Sequence, residues 1–249
     1  MPERLRGKVA VVTGGSKGLG AAIARSFGTE SATVVVNYAK NAASAETIVE
    51  DIRRLGGRAV SIKADMTDPD QVTDLFRQTS EMFGRVDVLV NNAGLYEFAP
   101  IEALNRESFD RHFQLNVFGY LLAVREAIKH MQPGGSIINM SSTVTMFGPE
   151  NASVYTATKG AIDGLTRALS NELAKRRIRV NAIKPGVVHT EGVEAGGFLD
   201  SDFSVSVISR TPLKRLGTPE DIAPAAVYLA SDESSWITGE FITISGGHR

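Results

Sequence analysis

Seven short runs of β-branched and apolar residues, separated by longer stretches of helical period, constrain this chain more than any other feature. The runs lie at residues 9–13 (VAVVT), 33–37 (TVVVN), 58–63 (RAVSIK), 86–90 (VDVLV), 136–140 (SIINM), 178–183 (IRVNAI) and 241–244 (FITI). Several are almost continuously apolar, the pattern of parallel strands covered on both faces. Helical periodicity fills 18–29, 42–55, 69–83, 106–131, 153–176 and 219–230. Asp68 before Pro69 and Thr218 before Pro219 have the signature of an N-cap with proline at the first helical position. Strand–helix alternation implies right-handed crossovers. The expected architecture is α/β: a doubly wound, parallel, seven-stranded sheet with helices on both faces. No Pro/Gly/Ser-rich linker and no repeat interrupts the 249 residues, so a single domain over 1–249 is expected. One stretch breaks the rhythm. Residues 189–215 carry Gly192, Gly196 and Gly197, scattered aromatics at Phe198 and Phe203, and weak periodicity. A long irregular segment after a strand is expected to be a lid.

Charge and cysteine content remove several function classes. The formal net charge is −1, so no basic field points to nucleic acid or an anionic membrane. With no cysteine, thiolate nucleophiles, disulfides and zinc–thiolate sites are excluded. The histidines His112, His130, His189 and His248 lack metal-ligand spacing, and no metal site is expected. No apolar run reaches the length of a membrane span and the first residues lack an apolar core of a signal peptide, so a cytoplasmic location is expected.

The first strand runs into a glycine-rich turn, Thr13 to Gly20, and a helix follows. Glycines let backbone approach a pyrophosphate closely, and the helix start offers free N–H groups and a positive dipole end. The spacing is T-G-x-x-x-G-x-G through Gly14, Gly18 and Gly20. Farther on, Tyr155 and Lys159 stand four apart on a predicted helix and share a face. A free phenol has a pKa of about 10. An ammonium beside it is expected to lower that value, which equips a tyrosine to exchange a proton with an alcohol or alkoxide. Ser142, just past the fifth strand, sits at the carboxyl edge where such sheets bind ligands. By chemistry alone the neighbouring Ser141 competes with it. Asn116 is an amide inside an apolar helical stretch, for which a structural kink or cap is the plain explanation.

These motifs together resemble the classical short-chain dehydrogenase/reductase family, over essentially the whole chain. The glycine spacing, Asn91-Asn92-Ala93-Gly94 after the fourth strand, Asn116, Ser142 thirteen positions before Tyr155, Y-x-x-x-K, and Pro185-Gly186 followed by Thr190 all agree. The subgroup includes 3-oxoacyl-carrier-protein reductases and bacterial glucose dehydrogenases. The resemblance implies a Rossmann-type fold and a catalytic set of Asn116, Ser142, Tyr155 and Lys159. It selects Ser142 over Ser141 and assigns Asn116 to a water that relays protons through Lys159. It further implies cofactor contacts from Gly14, Ser16, Lys17, Gly18, Leu19 and Gly20; from Asn37, Tyr38, Ala39 and Lys40; from Asp65 and Met66 at the adenine; from Asn92, Ala93 and Gly94; and from Tyr155, Lys159, Pro185, Gly186, Val188 and Thr190.

Where NAD-selective sites carry an acid at the end of strand two, this chain has Asn37, with Lys17 and Lys40 nearby in sequence. The expected cofactor is therefore NADP(H). Tyr96, Ser142, Val144, Met146, Phe147 and Phe198, with Leu95 and Val188, are expected to form an apolar substrate pocket. The expected reaction is reduction of a ketone or 3-oxoacyl carbonyl. A polyol or glucose dehydrogenase and a non-catalytic nucleotide-binding regulator are the alternatives. Carrier-protein ketoreductases present two basic residues, of which only Arg176 has a match here, the other position being Pro133. The resemblance, with apolar residues on several faces of the helices over 106–131 and 153–176, leads to an expected homotetramer acting on a small-molecule substrate.

Overall fold

The computed structural model describes residues 3–195 and 202–248. Its seven strands are β1 (Val9–Val12), β2 (Thr33–Tyr38), β3 (Arg58–Lys63), β4 (Val86–Asn91), β5 (Met131–Met140), β6 (Arg179–Pro185) and β7 (Phe241–Ile244). They form one parallel sheet in the order β3-β2-β1-β4-β5-β6-β7. The helices are α1 (Gly18–Thr29), α2 (Ala42–Arg54), α3 (Pro69–Phe83), α4 (Arg106–Phe113), α5 (Gly119–His130), α6 (Val144–Phe147), α7 (Ser153–Ala174), α8 (Glu191–Ala195), α9 (Asp202–Arg210) and α10 (Pro219–Ala230).

The period-two alternation of the strands sorts side chains between two cores. Ala10 and Val12 of β1 pack with α1, α2 and α10 on one face. Val11 packs with residues of α3, α5 and α7 on the other. The sheet order reverses direction between β1 and β4, so the loops leaving these strands part and open a crevice at their carboxyl ends. The Asp68 carboxylate caps α3 by accepting from the Asp70 and Gln71 N–H groups at 2.9 and 3.2 Å. The Asp221 carboxylate accepts from the Thr218 N–H at 2.7 Å and closes the start of α10.

Three expectations about elements need correction. The helix expected over 106–131 is interrupted: a π-helical turn, Gln114–Phe118, separates α4 from α5, and Met131 already belongs to β5. The wide turn accompanies the side chain of Asn116, which is bonded outside the helix, as described below. Strand β5 begins five residues earlier than expected, because Met131 pairs with Val86 before an irregularity in the β4 register. Finally, residues 189–215 are not irregular throughout. They contain α8 and α9, while Gly196, Gly197 and Phe198 lie outside the described residues.

Candidate active site

The glycine turn after β1 is tied down from behind. The Thr13 hydroxyl accepts from the Asn92 and Ala93 N–H groups at 2.9 and 3.0 Å, and the Asn92 amide donates to the Thr13 and Gly14 carbonyls. Gly14 has φ +60, and a Cβ there would lie 2.9 Å from the Ala93 Cα. A Cβ on Gly20 would lie 2.5 Å from both the Asn92 amide nitrogen and the Gly14 carbonyl. At these two positions the turn has no room for a side chain, so backbone is exposed at the start of α1, which suits a pyrophosphate.

Asn37 does not face that ligand space. It is buried, accepts from the Gly14 N–H at 3.1 Å and donates to the Ala64 carbonyl at 3.0 Å. Its side chain braces the glycine turn against β2 and β3, so the expected cofactor contact there is corrected to a supporting role. The tip of β2 leaves Ala39 and Lys40 exposed and Tyr38 half-buried, and Lys17 is exposed on the glycine turn. No carboxylate occupies the tip. The side chains of Met66 and Val188 belong to the packed cores, so a cofactor contact at either position would come from its backbone. The Asp65 carboxylate accepts from the Thr67 N–H and hydroxyl at 2.9 and 2.8 Å, which holds its turn.

Opposite the glycine turn, α7 places Tyr155 and Lys159 on one stripe facing the end of β5. Lys159 is buried, and its ammonium donates to the Met140 carbonyl at 2.7 Å. It lies 5.6 Å from the ring centroids of both Tyr155 and Tyr120. Ser142 follows β5. Its hydroxyl accepts from the Val144 N–H at 3.3 Å and lies beside the Tyr155 phenol. Burial pushes the Tyr155 phenol up to about 12, the Ser142 hydrogen bond opposes this, and Tyr96 adds to it. The expected lowering by Lys159 is therefore corrected: desolvation of the phenolate dominates and the pKa rises. Burial also pulls Lys159 down to about 8, against the charge of Asp163. At neutral pH the tyrosine keeps its proton and the lysine is mostly an ammonium.

Asn116 is buried within the π turn. Its amide oxygen accepts from the Leu95 N–H and its amide nitrogen donates to the Leu95 carbonyl, both at 2.8 Å, and to Thr158 at 3.1 Å. It ties α7 to the loop after β4. That loop carries Tyr96 and Phe98, whose rings pack against Tyr155 and each other with centroids 6.1–6.4 Å apart. Buried His112 accepts from the Glu97 N–H at 3.1 Å and bonds the Ser108 carbonyl, fixing the loop from α4. Val144 is mostly buried beside Ser142, and Met146 is exposed. The Phe147 ring meets His248 edge-on at 4.9 Å, so it is engaged with the C-terminal segment rather than with Tyr155. The expected pocket residue Phe198 lies outside the described residues.

On the far side of the crevice, the Gly186 N–H donates to the Ile244 carbonyl at 2.8 Å, and the Pro185 carbonyl accepts from the Thr143 N–H at 3.1 Å. Thr190 lies beside the Tyr96 phenol. The Glu191 carboxylate accepts from the Gly18 N–H at 3.0 Å, across 173 positions of sequence. Sequence reasoning had no signal for that contact, since neither residue's neighbours predict the other.

The family model described as enoyl-(acyl carrier protein) reductase matches residues 14–249. An uncharacterized oxidoreductase of Methylorubrum extorquens is 49% identical over 99% of this chain and 100% of its own. The chain is a short-chain dehydrogenase/reductase. Versicolorin reductase of Emericella nidulans is 41% identical to this dehydrogenase/reductase over 98% of this chain and 96% of its own. Among solved structures, the angucycline C-6 ketoreductase LanV with bound NADP superposes with a TM-score of 0.93, at 35% identity, over 100% of this chain and 98% of its own. Among the described residues, no helix of this oxidoreductase is long and apolar enough to cross a membrane.

Proposed function

We propose that this dehydrogenase/reductase reduces a ketone to a secondary alcohol with NADPH. The observation that carries the reading is a half-buried Tyr155 beside Ser142, with the buried Lys159 ammonium 5.6 Å from its ring, across the crevice from the glycine turn. NADPH, when bound, supplies the hydride. Ser142 holds the substrate oxygen by its hydroxyl, and Tyr155 donates its proton to the same oxygen as negative charge develops there. Lys159 supplies positive charge beside the tyrosine. The relatives named for reductase or ketoreductase activity support this direction. The rings of Tyr96, Phe98 and Tyr155 favour a ketone attached to a flat or aromatic group, through ring stacking. The described start of the expected lid, residues 189–195, reaches the glycine turn, where Glu191 accepts from the Gly18 N–H, and residues 196–201 of that span lie outside the described residues. A screen following NADPH absorbance across aryl ketones, 3-oxoacyl thioesters, enoyl thioesters and sugars tests the reading. Turnover of ketones is expected; turnover confined to enoyl thioesters or sugars would overturn it.

The cofactor preference follows from charge. With no acid at the tip of β2 and with Lys17 and Lys40 exposed beside it, a 2′-phosphate meets cations only. Charge-assisted contacts are worth about 1.5–3 kcal/mol each, so kcat/KM favours NADPH over NADH by roughly tenfold or more. The double variant Lys17→Ala/Lys40→Ala should lose most of that ratio while NADH turnover stays near its starting value. Equal efficiencies in the unaltered enzyme would sink the assignment.

We further propose a homotetramer. Phe109, Phe118 and Leu121 leave apolar surface on the α4–α5 face, and Trp236 is 98% exposed before the edge strand β7. Val124 of α5 is buried in the core and adds nothing to this face. Two self-complementary contacts of this kind generate dihedral symmetry. Sedimentation equilibrium at micromolar protein should give four times the 26.7 kDa chain mass. A mass of one chain rejects the assembly, and a mass of two leaves only one contact.

A further inference from the structure

Beyond the tyrosine and lysine, the stripe on α7 continues one more turn to Asp163. Tyr155, Lys159 and Asp163 are spaced four apart and meet the end of β5 in turn. The first lies beside Ser142, the second donates to the Met140 carbonyl, and the third accepts from the residue between them: the Ser141 hydroxyl donates to Asp163 Oδ1 at 2.7 Å. The other carboxylate oxygen accepts from Lys184 Nζ of β6 at 2.6 Å. Both partners are mostly buried, with side chains 12% and 11% exposed. Lys184 also donates to the Thr145 hydroxyl at 3.1 Å, and that hydroxyl donates to the Ser142 carbonyl at 3.1 Å.

A buried ion pair is costly to desolvate and is weak evidence for stability as such. Here its hydrogen bonds converge on one short segment. Asp163 grips Ser141 just before Ser142, and Lys184 grips Thr145 just after it. We propose that the Asp163–Lys184 pair is a positioning device for this site: it clamps residues 141–145 so that Ser142 is held against Tyr155, and it sets a carboxylate one helical turn from Lys159. The proposal rests on the assignment of Ser142, Tyr155 and Lys159 as the working groups.

Two consequences are distinct. The first is mechanical. Loss of the clamp misplaces the Ser142 hydroxyl without touching the glycine turn, so kcat falls and NADPH affinity holds. The second is electrostatic. The groups facing Lys159 are Tyr155 and Asp163 on its own helix, Tyr120 on α5, the Met140 carbonyl on β5, and Lys184 on β6 behind Asp163. Tyr120 is held neutral by burial and Tyr155 is protonated at neutral pH, so the balance between Asp163 and Lys184 governs how readily Lys159 keeps its proton.

The test is the pH profile of kcat/KM for NADPH in Asp163→Asn and Lys184→Met, with Ser141→Ala and Tyr155→Phe alongside. Asp163→Asn removes the negative charge and strands Lys184. The alkaline limb should move to lower pH by about one unit, the scale of a single close charge. Lys184→Met frees Asp163 to act on Lys159 alone, and the limb should move to higher pH. A merely structural pair would lower activity and melting temperature in both variants with the limb unmoved; that result, or shifts in the same direction, overturns the electrostatic part. Ser141→Ala removes one hydroxyl and keeps the ion pair, so it tests the clamp even if the charged variants fold poorly. A loss of about tenfold in kcat with NADPH KM unchanged is expected from a small misplacement; unchanged kcat overturns the clamp. If Tyr155→Phe retains turnover, the site assignment fails; if it is inactive while the other profiles stay put, only the present proposal fails.

Discussion

Tyr155→Phe should lower kcat for ketone reduction by at least about 100-fold, the usual scale for a positioned acid–base group. The ring remains, so its packing against Tyr96 and Phe98 is kept. Only the transferable proton is removed. Because the phenol does not contribute to the glycine turn, NADPH affinity measured by cofactor fluorescence should be nearly unchanged. The expected direction of the reaction follows from the same group. Burial holds the phenol up to about 12, so at neutral pH it is a proton donor already loaded for reduction. The reverse oxidation needs the phenolate and should accelerate as pH rises toward that value. Near-normal reduction by Tyr155→Phe would refute this chemistry.

Lys159→Met should lose about as much turnover, and NADPH affinity with it. The side chain is buried against the Met140 carbonyl, between the rings of Tyr120 and Tyr155, so the substitution removes the ammonium from beside the phenol. In the family that the sequence motifs resemble, this lysine also reaches the nicotinamide ribose. Its titration gives a second readout. The working form is the ammonium, and burial has moved its pKa down to about 8. The ammonium is therefore fully present below that pH and is lost as the pH rises through it. In the unaltered enzyme kcat/KM for NADPH should fall above about pH 8, and in Lys159→Met that limb should be gone. Retention of the limb would assign it to another group.

Much of this molecule is local, and what is local was legible. Alternation along β1 sends Ala10 and Val12 to one core and Val11 to the other, a consequence of strand geometry that any sequence carries openly. Asp68 and Pro69 mark the start of α3 by the hydrogen bonds of a helix end. The glycine spacing marks a turn in which a Cβ would collide with backbone. The four-residue interval between Tyr155 and Lys159 puts them on one face of α7. Each of these depends on neighbours within a few positions.

The rest depended on which distant residues meet. Asn37 looked like a ligand contact because it ends a strand at the crevice, yet packing turned its amide inward to Gly14 and Ala64. Tyr155 was expected to be acidified by its lysine. The structure instead surrounds it with Tyr96, Phe98 and the end of β5, and desolvation dominates. The regular helix expected over 106–131 opened into a π turn where Asn116 bonds a loop 21 positions away. Asp163 and Lys184 gave no signal apart, since each reads as an ordinary charge until α7 and β6 bring them together at 2.6 Å. Periodicity and motif spacing specified the layers and the shared helix face of Tyr155 and Lys159, because backbone geometry is set over short stretches of chain. The protonation states and the orientation of buried amides and charges were decided only by the tertiary structure, because desolvation and hydrogen-bond satisfaction depend on every element packed around a group.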